Sequence, residues 1–239
     1  INFADINPET MNIDVNHVRQ LMNQNVKAII CVHYGGLPCD MDELQFIADE
    51  WEVPIIEDAA HAVGAKYKGV DVGSISDFTM FSFQAIKHIT TGDGGMLIIK
   101  NKDLVDKAER IRWFGIDRKS KQAGIWENDI TEVGYKYQMT DIAAAMGIAS
   151  LSEFDEQSKL RKELYKTYET ELTNCDRLIV VGGGFSDRVH AAWLFTVLVE
   201  DRYTLQQKLR DNGIESNQVH FRNDRYSIFK EFTDGKVFP

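Results

Sequence analysis

Two short apolar runs separated by a segment of helix length set the terms for this chain. Val26-Lys27-Ala28-Ile29-Ile30-Cys31-Val32-His33-Tyr34 is rich in β-branched residues and stops at Gly35-Gly36; Val53-Pro54-Ile55-Ile56 stops at Glu57-Asp58. Apolar runs of that length, closed by glycine or acid, suit strands buried in a sheet and entering loops. Between them Asp40 can cap a helix, and Leu44, Phe46, Ile47 and Trp51 give that helix an apolar face. The result is a β-α-β unit. Further strands are predicted over 77–83 and 95–100, then a helix over about 102–114 and a polar loop. Alternation of this kind implies a doubly wound α/β sheet.

The segment 140–172 lacks proline and passes from an alanine-rich start to a mixture of lysine, arginine, glutamate and tyrosine. One long helix or two in succession are expected, buried at the start and solvated at the end. After Gly182-Gly183-Gly184 come an apolar strand over 191–199, a helix over about 204–212 and a turn at Gly213. The expected organisation is a large domain over 1–150, then a connecting helix and part of a smaller α+β domain over 151–239. Ile1 at the start, and 235–239 ending without the close of a helix or strand, suggest a fragment of a longer reading frame.

Composition narrows the classes. With 239 residues, 44% of them hydrophobic, the chain can bury one substantial core or a large domain and part of a second. Cys31, Cys39 and Cys175 form no CxxC pair and leave an odd thiol, which argues against a disulfide scaffold or zinc ribbon and fits a reducing cytoplasm. No run approaches the roughly 20 apolar residues of a membrane span, and no charged-then-apolar leader opens the chain. A formal charge of -10 disfavours nucleic acid or an anionic membrane as partner.

Two segments can carry chemistry. Glu57-Asp58-Ala59-Ala60-His61 places acids at the carboxyl end of a predicted parallel strand, where α/β sheets expose their binding residues. Taken alone, Asp58 serves as a loop acceptor as readily as a functional group, and His61 reads as a hydrogen-bonded structural histidine. The second segment, Phe81-Ser82-Phe83-Gln84-Ala85-Ile86-Lys87, continues to Thr91-Gly92-Asp93-Gly94-Gly95. Lost hydration among apolar and aromatic neighbours would favour the neutral, nucleophilic form of Lys87. The glycines alone make an ordinary turn. Cys31, His33, Cys39, Asp58 and His61 have no spacing of a known zinc ligand set, so no metal is expected.

In combination these motifs are specific. Asp58-Ala59-Ala60-His61, Phe81-Ser82-Phe83 with Lys87, Thr91-Gly92-Asp93-Gly94-Gly95 and Gly134-Tyr135-Lys136-Tyr137-Gln138-Met139-Thr140 occur in the order of the DegT/DnrJ/StrS-type sugar aminotransferases, and the resemblance runs from about residue 3 to about residue 230. It implies the fold type I architecture, a mostly parallel mixed sheet flanked by helices, with pyridoxal 5'-phosphate (PLP) as cofactor. Lys87 would form the Schiff base and move a proton. Asp58 would pair with the pyridine nitrogen, His61 would bond near the 3′ oxygen and Ser82 would donate to the phosphate. Where the family has an asparagine that reaches the neighbouring subunit's phosphate, this chain has Lys136, which still offers donors and positive charge; Gln138 stands where the family has arginine.

Relatives also have, before the position of Ile1, a phosphate-binding loop and an aromatic that stacks on the ring. His220 is the candidate for the sugar, and His33 is read as supporting. The implied activity is transfer of an amino group, from glutamate, to a nucleotide-linked 4-keto-6-deoxyhexose by a cytoplasmic homodimer, the perosamine synthases being the nearest comparison. Keto-cyclitol transamination and a non-catalytic regulator of the same fold are the alternatives; intact Lys87, Asp58 and Ser82 weigh against the regulator.

Overall fold

The computed structural model describes residues 1–127 and 129–233. The closing segment 235–239, read above as an unfinished element, lies outside them. Helix α1 (Val15–Leu21) opens on Asp14, whose carboxylate accepts the Asn16 amide. Strand β1 (Ile29–Val32), helix α2 (Met41–Trp51) and strand β2 (Ile55–Asp58) form the expected β-α-β unit, with the strands parallel, Ile29 opposite Ile55 and Val32 opposite Asp58. A short antiparallel pair follows, β3 (Lys66–Tyr67) with β4 (Val70–Asp71), and then β5 (Phe78–Ser82) and β6 (Gly95–Ile99). Because β5 runs parallel to β2 and antiparallel to β6, the main sheet has the order β1-β2-β5-β6 and is mixed but mostly parallel.

Side chains alternate across a strand, so one face of this sheet takes Ile29, Cys31 and Ile55. These pack with Met41, Leu44, Ile47 and Ala48 of α2 into the main core. On the other face of β1, Ile30 is 59% and Val32 43% exposed, which corrects the expectation of a strand buried throughout. Asp40 also differs from expectation. It stands at the N-cap position of α2 but bonds no helix amide; its carboxylate is drawn instead to Arg188, at 2.7 Å from Nη2.

Helix α3 (Val105–Arg112) and the short α4 (Arg118–Gln122) precede α5 (Asp141–Ser152), where the Thr140 hydroxyl caps the Ala143 amide, and α6 (Phe154–Leu172). The 140–172 segment is thus two helices, separated at Glu153. No residue of α5 is buried, and Ile142 is 78% and Ile148 71% exposed, so the alanine-rich start does not sit in the core of this chain. Apolar residues lie on every side of α5, more surface than the neighbouring Thr91 loop and α6 can cover.

Strand β7 (Leu178–Val180) pairs antiparallel with β9 (Val197–Val199), while β8 (Arg188–Val189) adds to the edge of β3. Helices α7 (Arg202–Asp211) and α8 (Lys230–Thr233) complete the described chain. The strand expected over 191–199 exists only over its last three residues. Its first half uses its amides elsewhere: Ala191 N–H bonds Gly36 O at 2.8 Å, and Trp193 and Leu194 N–H bond Gly35 O at 3.1 and 3.0 Å. Gly36 permits this approach. Its φ is 104°, and a Cβ there would lie 2.9 Å from both the Ala191 Cβ and the His61 carbonyl oxygen.

Candidate active site

The carboxyl ends of β1, β2 and β5 lie side by side, and the turns that leave them carry the polar residues singled out from the sequence. Glu57 and Asp58 point to opposite sides of β2. Glu57 is fully buried and accepts from His33 Nε2 at 2.7 Å, Thr79 Oγ1 at 3.0 Å and the Ser76 amide at 3.3 Å. Burial pushes its carboxyl pKa up, but the bonds from His33, Ser76 and Thr79 prevail and hold it below the usual range. His33 is buried too, and its Nδ1 accepts the Cys39 amide at 3.0 Å, which leaves the proton on Nε2 facing Glu57. His33 and Glu57, with Thr79, tie β1, β2 and β5 together.

Asp58 faces the other way. Its Oδ1 accepts the Ala60 amide at 3.0 Å, and its second oxygen takes no hydrogen bond among the described residues. The chain then turns through Ala59 and Ala62, both buried with Ala191, and delivers His61. His61 is 9% exposed, and its Nδ1 is buried without a hydrogen-bond partner. Burial, with the positive charge of Lys87 next in effect, pushes the pKa of His61 down to about 3, so the ring is neutral near pH 7.

Lys87 sits on the loop after β5. That loop is closed at its base by Thr91 N–H to Phe83 O at 2.9 Å and Phe83 N–H to Gly94 O at 2.8 Å. Its amine lies 3.9 Å from the centroid of the Trp193 ring, and Trp193 stacks on His61 with centroids 3.7 Å apart and planes 16° from parallel. Burial lowers the pKa of Lys87, while the charge of Asp58 acts on it in the opposite sense. The carboxylate and the amine are therefore within electrostatic reach of each other.

His220, exposed, brings its ring to 6.0 Å from His61 and 6.2 Å from Tyr34. Ser82, at the end of β5, accepts the Gln84 amide at 3.3 Å. The fold thus sets His61 and Lys87 against Trp193, with Asp58 acting on the amine of Lys87, His220 beyond His61, and Ser82 on the strand end from which the lysine loop leaves. Lys136 does not join them; it is exposed, with its amine 3.8 Å from the centroid of the Trp113 ring, to whose backbone its own is bridged. Trp193 was missed in the sequence, where Ala191-Ala192-Trp193 reads as part of a strand. Tyr34, whose hydroxyl is 3.3 Å from Thr196 Oγ1, was read only as the end of β1. Among the described residues no three His, Cys, Asp or Glu side chains stand together as a metal site.

The family model described as the DegT/DnrJ/EryC1/StrS aminotransferase family matches residues 1–236. The chain belongs to that family. Relatives of this DegT/DnrJ/EryC1/StrS chain include an uncharacterised protein of Methanocaldococcus jannaschii, 41% identical over 92% of this chain and 59% of the relative. Another is a GDP-perosamine synthase of Escherichia coli, 35% identical over 96% of this chain and 61% of the relative. The crystal structure of a sugar aminotransferase from Micromonospora echinospora superimposes with a TM-score of 0.94 at 30% identity, covering 100% of this chain and 65% of the other. The architecture is therefore fold type I. The chain spans about three fifths of the length of the curated relatives it matches.

Proposed function

We propose that the protein carrying this chain transfers an amino group, from glutamate, to a nucleotide-linked keto-deoxyhexose, with PLP as cofactor, in the making of amino sugars for surface polysaccharide. The observation that carries this reading is the meeting of Lys87, Asp58 and His61 at one edge of a fold type I sheet in a chain of an aminotransferase family. The residues present fit the cofactor. An amine with lowered pKa can add to its aldehyde, the free oxygen of Asp58 can accept a hydrogen bond from the pyridinium N–H, and the orphaned His61 Nδ1 offers a bond at the ring's edge. When bound, PLP supplies an electrophilic aldehyde and a cationic ring that accepts the electron pair released at the neighbouring carbon.

In this reading Lys87 holds the cofactor and then carries a proton at the substrate carbon that gains nitrogen, one amine serving as both nucleophile and acid/base. Asp58 keeps the pyridine nitrogen protonated. Ser82 donates to the phosphate, and Lys136, remote from its own cluster, serves the phosphate of a second copy in a homodimer. His220 faces the sugar. The chain divides at about residue 150 into a cofactor-binding domain and the start of a smaller one. The setting is the cytoplasm, and no described helix is long and apolar enough to cross a membrane.

The test uses the full-length protein. It should be yellow as purified, borohydride should fix the cofactor to Lys87, and glutamate with a panel of nucleotide keto sugars should yield an amino sugar. Lys87→Ala should lower turnover by at least about 10²–10⁴-fold with an unchanged circular dichroism spectrum. Activity lost only in step with unfolding contradicts the assignment.

A further inference from the structure

Trp193 reaches the candidate site from the irregular stretch between β8 and β9, and three contacts fix its ring. Its indole N–H donates to the carbonyl of Ile86, immediately before Lys87, at 3.2 Å. The ring lies on His61, and the Trp193 backbone amide is held by Gly35 O at 3.1 Å. The amine of Lys87 sits 3.9 Å from the centroid of this immobilised ring. An indole face attracts a cation through its quadrupole, more strongly where water is partly excluded. Apolar cover alone acts in the opposite sense, by disfavouring charge.

We propose that Trp193 is the positioning residue of Lys87, its indole face holding the ammonium form in place and so setting the pH at which the amine becomes nucleophilic. The inference rests on the reading of Lys87 as the reactive amine. The other groups that bear on Lys87 are Asp58 at the end of β2, His61 in the turn after it and His88 on the lysine's own loop; His220 lies beyond His61. Asp58 favours the charged amine, and the pKa values of His61 and His88 lie at about 3 and about 4, so neither adds charge near pH 7. The ring of Trp193 is then the element whose removal should tip the balance toward the neutral amine.

The experiment takes the full-length protein, freed of cofactor by hydroxylamine and then dialysis, and follows arylation of Lys87 by trinitrobenzenesulfonate from pH 6 to 10 with peptide mapping. Wild type is compared with Trp193→Leu, which keeps apolar cover without a π face, and Trp193→Phe, which keeps a weaker face. At pH 8 the leucine variant should react about 2- to 30-fold faster than wild type, the range that a cation–π contact spans, with its midpoint moved to lower pH. The phenylalanine variant should lie between the two. A leucine variant that matches wild type or reacts more slowly overturns the proposal, and so does a phenylalanine variant slower than wild type, a comparison that stands even where leucine disturbs the fold. Borohydride reduction of the wild-type holoenzyme that leaves Lys87 unmodified sinks the cofactor reading instead, while the arylation series still decides on Trp193.

Discussion

Glu57 and Asp58 are adjacent in sequence and differ in everything that a strand decides. One points into the core, where His33, Ser76 and Thr79 all bond its carboxylate; the other points to the lysine loop with one oxygen free of hydrogen bonds among the described residues. Their conservative substitutions should therefore separate stability from chemistry. Glu57→Gln cannot accept at its amide nitrogen and leaves at least one buried donor unsatisfied, which should cost about 1–3 kcal/mol in urea unfolding while turnover per folded molecule holds. Asp58→Asn keeps the acceptor for the Ala60 amide, so stability should stay within about 0.5 kcal/mol of wild type. Loss of the charge facing the cofactor ring should lower kcat by about 10²–10³-fold, the scale of removing one preorganised electrostatic group. The same loss for both variants, or for neither, would contradict the division. That Asp58 stands at the end of a parallel strand was legible in the sequence, where an apolar run stops at Glu57-Asp58. The burial of Glu57 was not, since it depends on the register that sets β2 beside β5.

At the scale of elements, helix α5 steadies the far end of the lysine loop. Ser150 Oγ accepts the Thr90 amide at 3.1 Å, and a Cβ added at Gly147 would come 2.9 Å from Thr91 Cγ2. Gly147→Val should thus push Thr91 and the glycines after it, costing about 1–3 kcal/mol in urea unfolding and raising KM for PLP in a titration of the apoenzyme. Unchanged stability and cofactor affinity would show that the helix does not support the loop. The long elements were legible because periodicity reports them: α2 and the strands around it follow the pattern of their apolar residues. The two-residue strands β3 and β4 and the three-residue β7 carry no period to read. The overlong strand at 191–199 fails for a related reason. Ala191 to Phe195 is as apolar as a strand requires, but its partners are the carbonyls of Gly35 and Gly36, which no local pattern announces.

Taken whole, the molecule is joined across its middle by groups that must stay neutral. His88 donates from Nε2 to Ala191 O at 2.8 Å, which ties the lysine loop to the stretch between β8 and β9, and His190 accepts the Ala192 amide at Nδ1. Burial first of all pushes the pKa of each down to about 4, and that of His61, stacked on Trp193 in the same seam, to about 3. In the unfolded chain these histidines take up protons near pH 6.5. Between that pH and about 4 the unfolded state binds more protons than the folded one, so stability must fall as the pH is lowered through this window. Above about pH 7.5, where the unfolded histidines are also neutral, the three contribute no slope. The carboxylates with lowered pKa, Glu57 among them, add their own loss only lower down. The urea midpoint of the full-length apoprotein should therefore drop between pH 7 and pH 5. His88→Gln, which can still donate to Ala191 O but cannot titrate, should make that drop smaller; an equal drop in both proteins would mean that the seam does not exclude the proton.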